Sequence, residues 1–231
     1  MKLSVVLLRL LASLGITAKL TVVSLFLGAV LGLLFCFMAL SRSRVLNVLD
    51  SFYLDVIRGT PLIVQAFFIY FGIPQLLQVV WPEFRLGPET AGIITLTLNA
   101  GAYISEIFRS GIMAVDKGQM EAARSLGLPR SRAMRKVIIP QAVKIVIPAL
   151  LNQFIITLKD TSILSVIGIN ELTQTGKLII AATFESFKTW ALVALMYLVL
   201  IKILSVLSSR LERSLRNGSN GKSHTSEKKR R

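Results

Sequence analysis

The sequence contains a single cysteine and a single histidine, which limits the chemistry available to it. One cysteine excludes a disulfide framework and a cysteine-based metal site, and Cys36 lies in an apolar run, so we interpret it as a small buried apolar residue. His224 lies in the polar C-terminal segment NGSNGKSHTSEKKRR, and we assign it no role. We therefore expect no metal site in this chain.

Long polar stretches are also scarce. Hydrophobic residues make up 53% of the 231 positions, and the positive mean hydropathy is rare in soluble domains of this size. A helix needs about 20 residues to cross about 30 Å of hydrocarbon. The apolar runs, some of which reach that length only with a few polar residues included, predict five spanning helices: Leu20 to Leu40, Leu62 to Pro82, Ala91 to Ser105, Ile145 to Leu158 and beyond, and Thr189 to Ile201.

Acidic residues are few, with 12 against 27 basic residues and a net charge of +15. Such an excess could indicate nucleic acid binding, but the basic residues follow the first, third and fifth apolar runs, which is the positive-inside pattern. It predicts an outer N-terminus and a cytoplasmic C-terminus. Lys2, Arg9 and Lys19 count against this orientation.

The two ends of the chain differ from the apolar runs. The segment MKLSVVLLRLLASLGIT predicts an amphipathic helix at the membrane interface. A cleaved signal peptide is disfavoured because Arg9 interrupts the apolar stretch. We expect residues 1–210 to form one transmembrane domain, and residues 211–231 to form a basic, disordered cytoplasmic tail in loose contact with anionic lipid.

A charged segment, EAARSLGLPRSRAMRKVIIP, stands between the third and fourth apolar runs. Glu121 to Ser125 favours a helix, Gly127 can end it with a positive φ, and Pro129 prevents its continuation. A second short helix is expected after Pro129, with Pro140 ending the segment at the membrane. On charge alone, the arginines could serve only to fix the topology.

The order of residues in this segment resembles the signature loop of permease subunits of ATP-driven (ABC) importers. The matching positions are Glu121, Ala122, Ala123, Arg124, Gly127 and Pro140. The resemblance implies a coupling helix that docks on a separate ATPase subunit, with the alanines allowing close approach, the glycine making the turn and the charges pairing with the partner. The chain has no G-x-x-x-x-G-K-[S/T] phosphate loop, so it is not itself the ATPase.

Three further segments narrow the resemblance to the polar amino acid permeases, which handle glutamine, histidine, arginine, cystine and related substrates: RGTPLIVQ (58–65), NAGAYISEIFRSGI (99–112) and LKDTSILSVIG (158–168). This family implies an all-α, type I importer-like fold in a prokaryotic inner membrane. It also implies a homodimer or heterodimer of permeases, cytoplasmic ATPases that use ATP and Mg²⁺, an extracytoplasmic amino-acid-binding protein, and no cofactor or enzymatic activity in this chain.

Polar residues recur at positions i, i+4 and i+7 on two apolar runs, and each set shares one face of a helix. They are Asn99, Tyr103 and Glu106 on the third run, and Gln153, Thr157 and Asp160 on the fourth. Unpaired polar groups in lipid cost several kcal/mol, so these faces should meet each other, a second subunit or water.

An amino acid needs acceptors for its ammonium group and donors for its carboxylate. Asp160 or Glu106 could supply the acceptors. Candidate donors and pathway residues are Arg58, Gly59, Thr60, Pro61, Gln65, Thr161 and Ser162. The structural alternative is that Glu106 pairs with Arg109, that Lys159 pairs with Asp160 or a lipid headgroup, and that Arg58 only anchors the topology.

Two other function classes remain as alternatives from the residues alone. An ion channel or electrochemically driven carrier would use Glu106 and Asp160 as its ion path, but it leaves the charged loop unexplained. An intramembrane aspartyl protease would need a pair of aspartates on facing spans, and only Asp160 qualifies.

Overall fold

The computed structural model describes the backbone of residues 2–227 and the side chains of residues 2–213. Within this range the chain is helical. The α-helices are α1 (Leu3–Ala39), α2 (Arg44–Gly59), α3 (Leu62–Phe67), α4 (Ile73–Leu77), α5 (Pro88–Met113), α6 (Lys117–Ser125), α7 (Arg130–Ala133), α8 (Ile139–Asp160), α9 (Leu172–Thr183) and α10 (Ser186–Glu227). Two π-helical segments, Phe68–Gly72 and Met134–Ile138, and a 3-10 helix, Thr161–Ile167, join some of them.

Four helical segments in the described range are long and apolar enough to cross a membrane, and a bent pair makes up a fifth. The four are Leu3–Ala39, Pro88–Met113, Arg130–Ile167 and Ser186–Arg213. The pair consists of Arg44–Gly59 and Leu62–Leu77, with an angle of 104° between them. The predicted all-α fold is confirmed, and the predicted number of five spans is reached when the bent pair is counted as one span. That second, broken span ends at Leu77 rather than Pro82.

The N-terminal segment is not a separate interfacial helix, because α1 runs without a break from Leu3 to Ala39. Its polar residues do not interrupt it. The Ser13 hydroxyl donates to the Leu10 carbonyl at 2.8 Å, and the Thr21 hydroxyl donates to the Thr17 carbonyl at 2.8 Å. These bonds satisfy buried hydroxyls inside the helix, so a polar sequence is compatible with a continuous span.

Helices α1 and α5 run parallel and pack closely. Lys19 pairs with Glu89 near one end, and Gly32 lies against Gly101 and Ser105 farther along. A Cβ atom on Gly32 would stand 2.9 Å from both the Gly101 carbonyl oxygen and the Ser105 nitrogen. The small residue at Gly32 therefore allows the close approach of α1 and α5.

Helix α8 runs antiparallel to α5. Gly111 of α5 lies against Val146, near the start of α8, whereas Gly92 lies against Leu164, beyond its end. Buried residues of α1, α3, α5 and the 3-10 helix, including Leu20, Ala66, Leu96 and Leu164, form one apolar cluster. This packing places the middle of α5 opposite the last turns of α8.

The predicted tail, residues 211–231, begins inside α10. Its side chains beyond Arg213 and all of residues 228–231 lie outside the described residues. The tail therefore stays a prediction.

Candidate functional site

A cavity of about 400 Å³ lies between the start of α3, the middle of α5 and the end of α8. It brings together six of the predicted residues: Thr60, Pro61, Asn99, Tyr103, Gln153 and Asp160. Its lining also includes two apolar residues, Leu62 and Ile156, which the sequence reasoning did not select. Polar groups that converge on a concave cavity with some apolar lining are typical of small-molecule sites.

Gln65 does not line this cavity but makes hydrogen bonds that position Thr60, which does. Its amide nitrogen donates to the Ile57 carbonyl at 2.7 Å and to the Thr60 carbonyl at 3.0 Å. Its amide oxygen accepts a bond of 3.4 Å from the Asn99 side chain. Gln65 is buried, and it ties the bend between α2 and α3 to the middle of α5.

The polar face of α8 divides into two groups. Gln153 and Asp160 line the cavity, whereas Thr157 is buried and accepts a 3.3 Å bond from the Gln153 amide. The Thr161 and Ser162 hydroxyls donate to the carbonyls of Leu158 and Lys159, both at 2.7 Å. The hydroxyls of Thr161 and Ser162 are thus occupied within their own helix, and these two residues do not line the cavity.

Asp160 carries the only carboxylate in the cavity lining of the described residues. Within the described residues, no lysine or arginine side chain lies within ion-pair distance of Asp160. All the ion pairs in this part of the chain involve glutamates. The pairing with Lys159, which was part of the structural alternative, is not formed. Asp160 can therefore accept hydrogen bonds from a cationic group that enters the cavity.

Glu106 lies outside this cavity and is held by two arginines. Arg109 donates to its carboxylate at 2.7 Å from Nε and 3.1 Å from Nη2, as the structural alternative predicted. Arg58 reaches the same carboxylate at 3.6 Å and lies 5.8 Å from the centre of the Tyr103 ring. Glu106 is thus compensated, and Arg58 stands beside the cavity wall formed by Tyr103.

The charged loop folds as two helices joined at Gly127. The Asp116 carboxylate caps α6 by accepting from the Gly118 nitrogen at 2.6 Å. Gly127 has φ of +81°, and the Leu128 nitrogen donates to the Ala123 carbonyl at 3.2 Å, which is a glycine-type helix ending. The predicted turn at Gly127 is confirmed.

Pro140 does not end the loop. It lies in the first turn of α8, after the π-helical segment, where the Ile139 nitrogen donates to the Met134 carbonyl five residues back. The extra residue of a π turn changes the hydrogen-bond register, so that proline, which lacks an N–H group, is accommodated without a break. The second short helix therefore continues directly into the fourth span.

The exposed face of the loop differs from the predicted one. Glu121, Ala122 and Arg124 are exposed, but Ala123 is only 4% exposed and points toward the permease itself. Leu126, which the sequence reasoning did not select, is 84% exposed. Leu126 therefore belongs, with Glu121, Ala122 and Arg124, to the exposed part of the loop.

Comparison with known proteins places the chain in a family. Residues 24–217 match the profile described as "Binding-protein-dependent transport system inner membrane component". The glutamine transport system permease protein GlnP of Escherichia coli (strain K12) is 41% identical over 177 residues, which are 77% of this chain and 79% of that protein. The arginine transport system permease protein ArtQ of Bacillus subtilis (strain 168) is 40% identical over 174 residues, 75% of this chain and 77% of that protein.

Solved structures agree with these relatives. A structure titled "Crystal structure of an amino acid ABC transporter with histidines" matches with a TM-score of 0.84 and 41% identity, covering 89% of this chain and 94% of that one. A methionine ABC transporter, MetNI, in an inward-facing conformation matches with a TM-score of 0.77 at 20% identity, covering 93% and 99%, which supports the fold alone. The carrier or channel alternative finds no support in these matches.

In this family, membrane passage, ATP hydrolysis and substrate capture are carried out by separate proteins, as the sequence resemblance implied. Its permease subunits are not enzymes, and they work with a separate ATPase and a substrate-binding protein. With the profile match covering most of the chain and two permease relatives at 40% identity or more, the chain belongs to the family of inner membrane components of binding-protein-dependent transport systems, the permease subunits of ABC importers.

Proposed function

We propose that this chain forms the translocation path for a polar L-amino acid and that the cavity between α3, α5 and α8 binds the amino acid in transit. The observation that carries the proposal is the Asp160 carboxylate, which forms no ion pair within the described residues and lines a cavity of about 400 Å³ together with Asn99 and Thr60. The printed names of the relatives, which refer to glutamine and arginine transport, support the substrate class.

Each part of an amino acid finds a partner of the right type in this cavity. The ammonium group donates to Asp160, and the carboxylate accepts from the amide groups of Asn99 or Gln153 or from the Tyr103 hydroxyl. Leu62 and Ile156 contact the methylene groups of the substrate. Since these groups recognise the backbone part that all amino acids share, the binding protein contributes much of the side-chain selectivity.

The charged loop is the proposed contact with the ATPase. The exposed Glu121, Arg124 and Leu126 form a mixed charged and apolar patch on α6 and the following turn. ATP and Mg²⁺ are bound by the partner subunit, and two permease chains assemble with two ATPase subunits. The distribution of basic residues supports a cytoplasmic position for this loop and the C-terminus and an outer position for the N-terminus.

A substrate panel tests the proposal. Cells that express the chain with its ATPase and binding protein take up radiolabelled glutamine, arginine and histidine, and unlabelled polar amino acids compete with this uptake. At least one of the three amino acids is expected to accumulate only when this chain is present. Equal accumulation in cells that lack the chain, for every amino acid tested, contradicts the proposal.

A further inference from the structure

A second cavity of about 420 Å³ lies between α2 and the C-terminal ends of α1 and α5. Its polar lining includes Asn47, Asp50, Ser51, Asp55, Glu106 and Arg109. Asn99 of the first cavity and Glu106 of the second are seven residues apart on α5, a distance of about 10 Å along the helix axis. The second cavity thus follows the first in the direction of the charged loop.

The charges around the second cavity do not balance. Three carboxylates and two guanidinium groups, those of Arg58 and Arg109, line it. Both arginines engage the same carboxylate, that of Glu106. Within the described residues, Asp50 and Asp55 form no ion pair, so the cavity keeps a net negative charge that favours a cation.

Asp50 gives the strongest indication that a ligand binds in the second cavity. The residue is only 6% exposed, and its Oδ1 atom accepts no hydrogen bond from any group in the described part of the chain. A buried carboxylate oxygen without a donor is costly. A cation that carries N–H groups would supply the donors that the chain itself does not.

Two neighbouring side chains, Tyr103 and Arg58, stand between the two cavities. Tyr103 lines the first cavity, Arg58 lines the second, and the guanidinium group of Arg58 lies 5.8 Å from the centre of the Tyr103 ring. Arg58 contacts Glu106 at 3.6 Å only, which is longer than a hydrogen bond. Such a loosely held side chain can move aside without breaking a strong bond.

We propose that the second cavity is a second binding station for the transported amino acid, where Asp50 and Asp55 accept the ammonium group after it leaves Asp160. The inference rests on the proposed function. A metal ion does not suit the site, since no group of three or more histidine, cysteine or acidic side chains in the described residues has a metal-binding arrangement. The ligand class is a primary ammonium group, with Arg58 available for its carboxylate.

Protection of an introduced thiol tests this station. Ser51 is exposed in the cavity wall, and Ser51→Cys places a reactive group there. The native Cys36 is 0% exposed, so the wild-type chain serves as the unlabelled control. The rate of reaction with N-ethylmaleimide is measured on the purified permease–ATPase complex with glutamine, arginine, methylammonium chloride or sodium chloride.

We expect the amino acid and methylammonium to slow the labelling of the introduced thiol, and sodium chloride at the same concentration to have no effect. In Ser51→Cys carrying Asp50→Asn, the half-protecting concentration should rise by about tenfold or more, as expected for the loss of a charge-assisted bond. Asp55→Asn, at an exposed position, provides a second test should Asp50→Asn fold poorly. Glu185→Gln, at an exposed position that lines neither cavity, should leave protection unchanged.

The second binding station is contradicted if no ammonium compound protects the thiol, or if protection is equal with and without Asp50. Protection by sodium chloride alone also overturns it, because an inorganic cation then occupies the cavity. Transport by the same complex is measured in parallel. Transport without protection removes the second station and leaves the proposed function intact, whereas methylammonium protection without amino acid transport retains the cation site and removes the proposed function.

Discussion

At the scale of single residues, the candidate site depends on which polar groups are already satisfied by their neighbours. Helical spacing correctly grouped Asn99 with Tyr103, and Gln153 with Asp160, on faces that meet at one cavity. Spacing alone could not exclude Thr161 and Ser162, since the hydroxyls bond to carbonyls in their own helix. Whether a hydroxyl turns inward to its own backbone is decided by rotamer and packing, which a single sequence does not display.

In the proposed site, the Asp160 carboxylate binds the ammonium group of the substrate. We predict that Asp160→Asn raises the KM for amino acid uptake by about tenfold or more, because a charge-assisted hydrogen bond is lost. Ser162→Ala is the matched control, since its hydroxyl contacts only the Lys159 carbonyl, and it should transport normally. Unchanged uptake kinetics in Asp160→Asn, at equal expression, would remove Asp160 from the site.

Glu171 offers a pH test outside the spanning segments. It is fully buried, and its carboxylate accepts from the Thr173 and Gln174 nitrogens and from the Tyr197 hydroxyl, at 2.9, 2.7 and 3.0 Å. Burial raises the pKa of Glu171 above its ordinary value of 4.5, although these hydrogen bonds act to lower it. The folded state therefore holds the proton more tightly than the unfolded state.

A raised folded-state pKa means that the contribution of Glu171 to stability is greatest below pH 4.5 and falls as the pH rises toward the raised pKa. Glu171→Gln cannot titrate, so we predict that its stability loses this part of the pH dependence. Thermal unfolding of the detergent-purified protein across pH 4 to 8 (roughly the range of such shifts) measures the difference. Parallel pH profiles for the two proteins would show that the pKa of Glu171 is not shifted.

At the scale of helices, the close contact between α1 and α5 provides a test of the packing. We predict that Gly32→Ala destabilises the protein by about 1 to 3 kcal/mol, the usual cost of overpacking, because the added methyl group would press on the α5 backbone. Gly15→Ala on the same helix is the control, as nothing lies within 4 Å of its added methyl group. Equal melting temperatures for the two variants would contradict the close approach of these helices.

The docking surface of the charged loop also belongs to this scale. We predict that Glu121→Lys abolishes copurification of the ATPase subunit with the tagged permease while membrane insertion persists. Glu121 is exposed and forms no ion pair in the described residues, so its reversal disturbs no contact within the permease. Mass spectrometry of the purified complexes gives the amount of ATPase.

Glu83→Lys is the control for this charge reversal, because Glu83 is also exposed and lies between the second and third spans, away from the loop. It should retain the ATPase. Equal recovery of ATPase with Glu121→Lys and the wild-type chain would remove Glu121 from the docking surface.

The apolar runs predicted the long helices well, because about 20 apolar residues have few other stable arrangements. They did not predict α2, which mixes charged and apolar residues and has no long apolar run. Its position is set by tertiary contacts: the Tyr53 hydroxyl donates to the Leu98 carbonyl at 2.6 Å, and the Tyr53 ring stacks on Phe35. The two π-helical segments were also missed, although each ends two residues before a proline, Pro74 or Pro140.

At the scale of the whole molecule, the loop and the cavity are joined by continuous helices. α5 carries Asn99 and Tyr103 and leads within a few residues to α6, while α8 begins at the end of the loop and carries Gln153 and Asp160. Buried Val115, Ile138 and Ala142 pack the loop onto these helices. A shift of the loop by an ATPase would therefore move the two cavity walls formed by α5 and α8 together.

The most direct test of this account is amino acid accumulation by proteoliposomes that contain the complete transporter, with ATP and Mg²⁺ supplied on the side of the charged loop and the binding protein on the other. We expect the wild-type chain to accumulate the amino acid against a gradient. Accumulation should be lost without ATP, and it should also be lost in Glu121→Lys with ATP present. Accumulation that persists without ATP, driven by an ion gradient alone, would contradict the account.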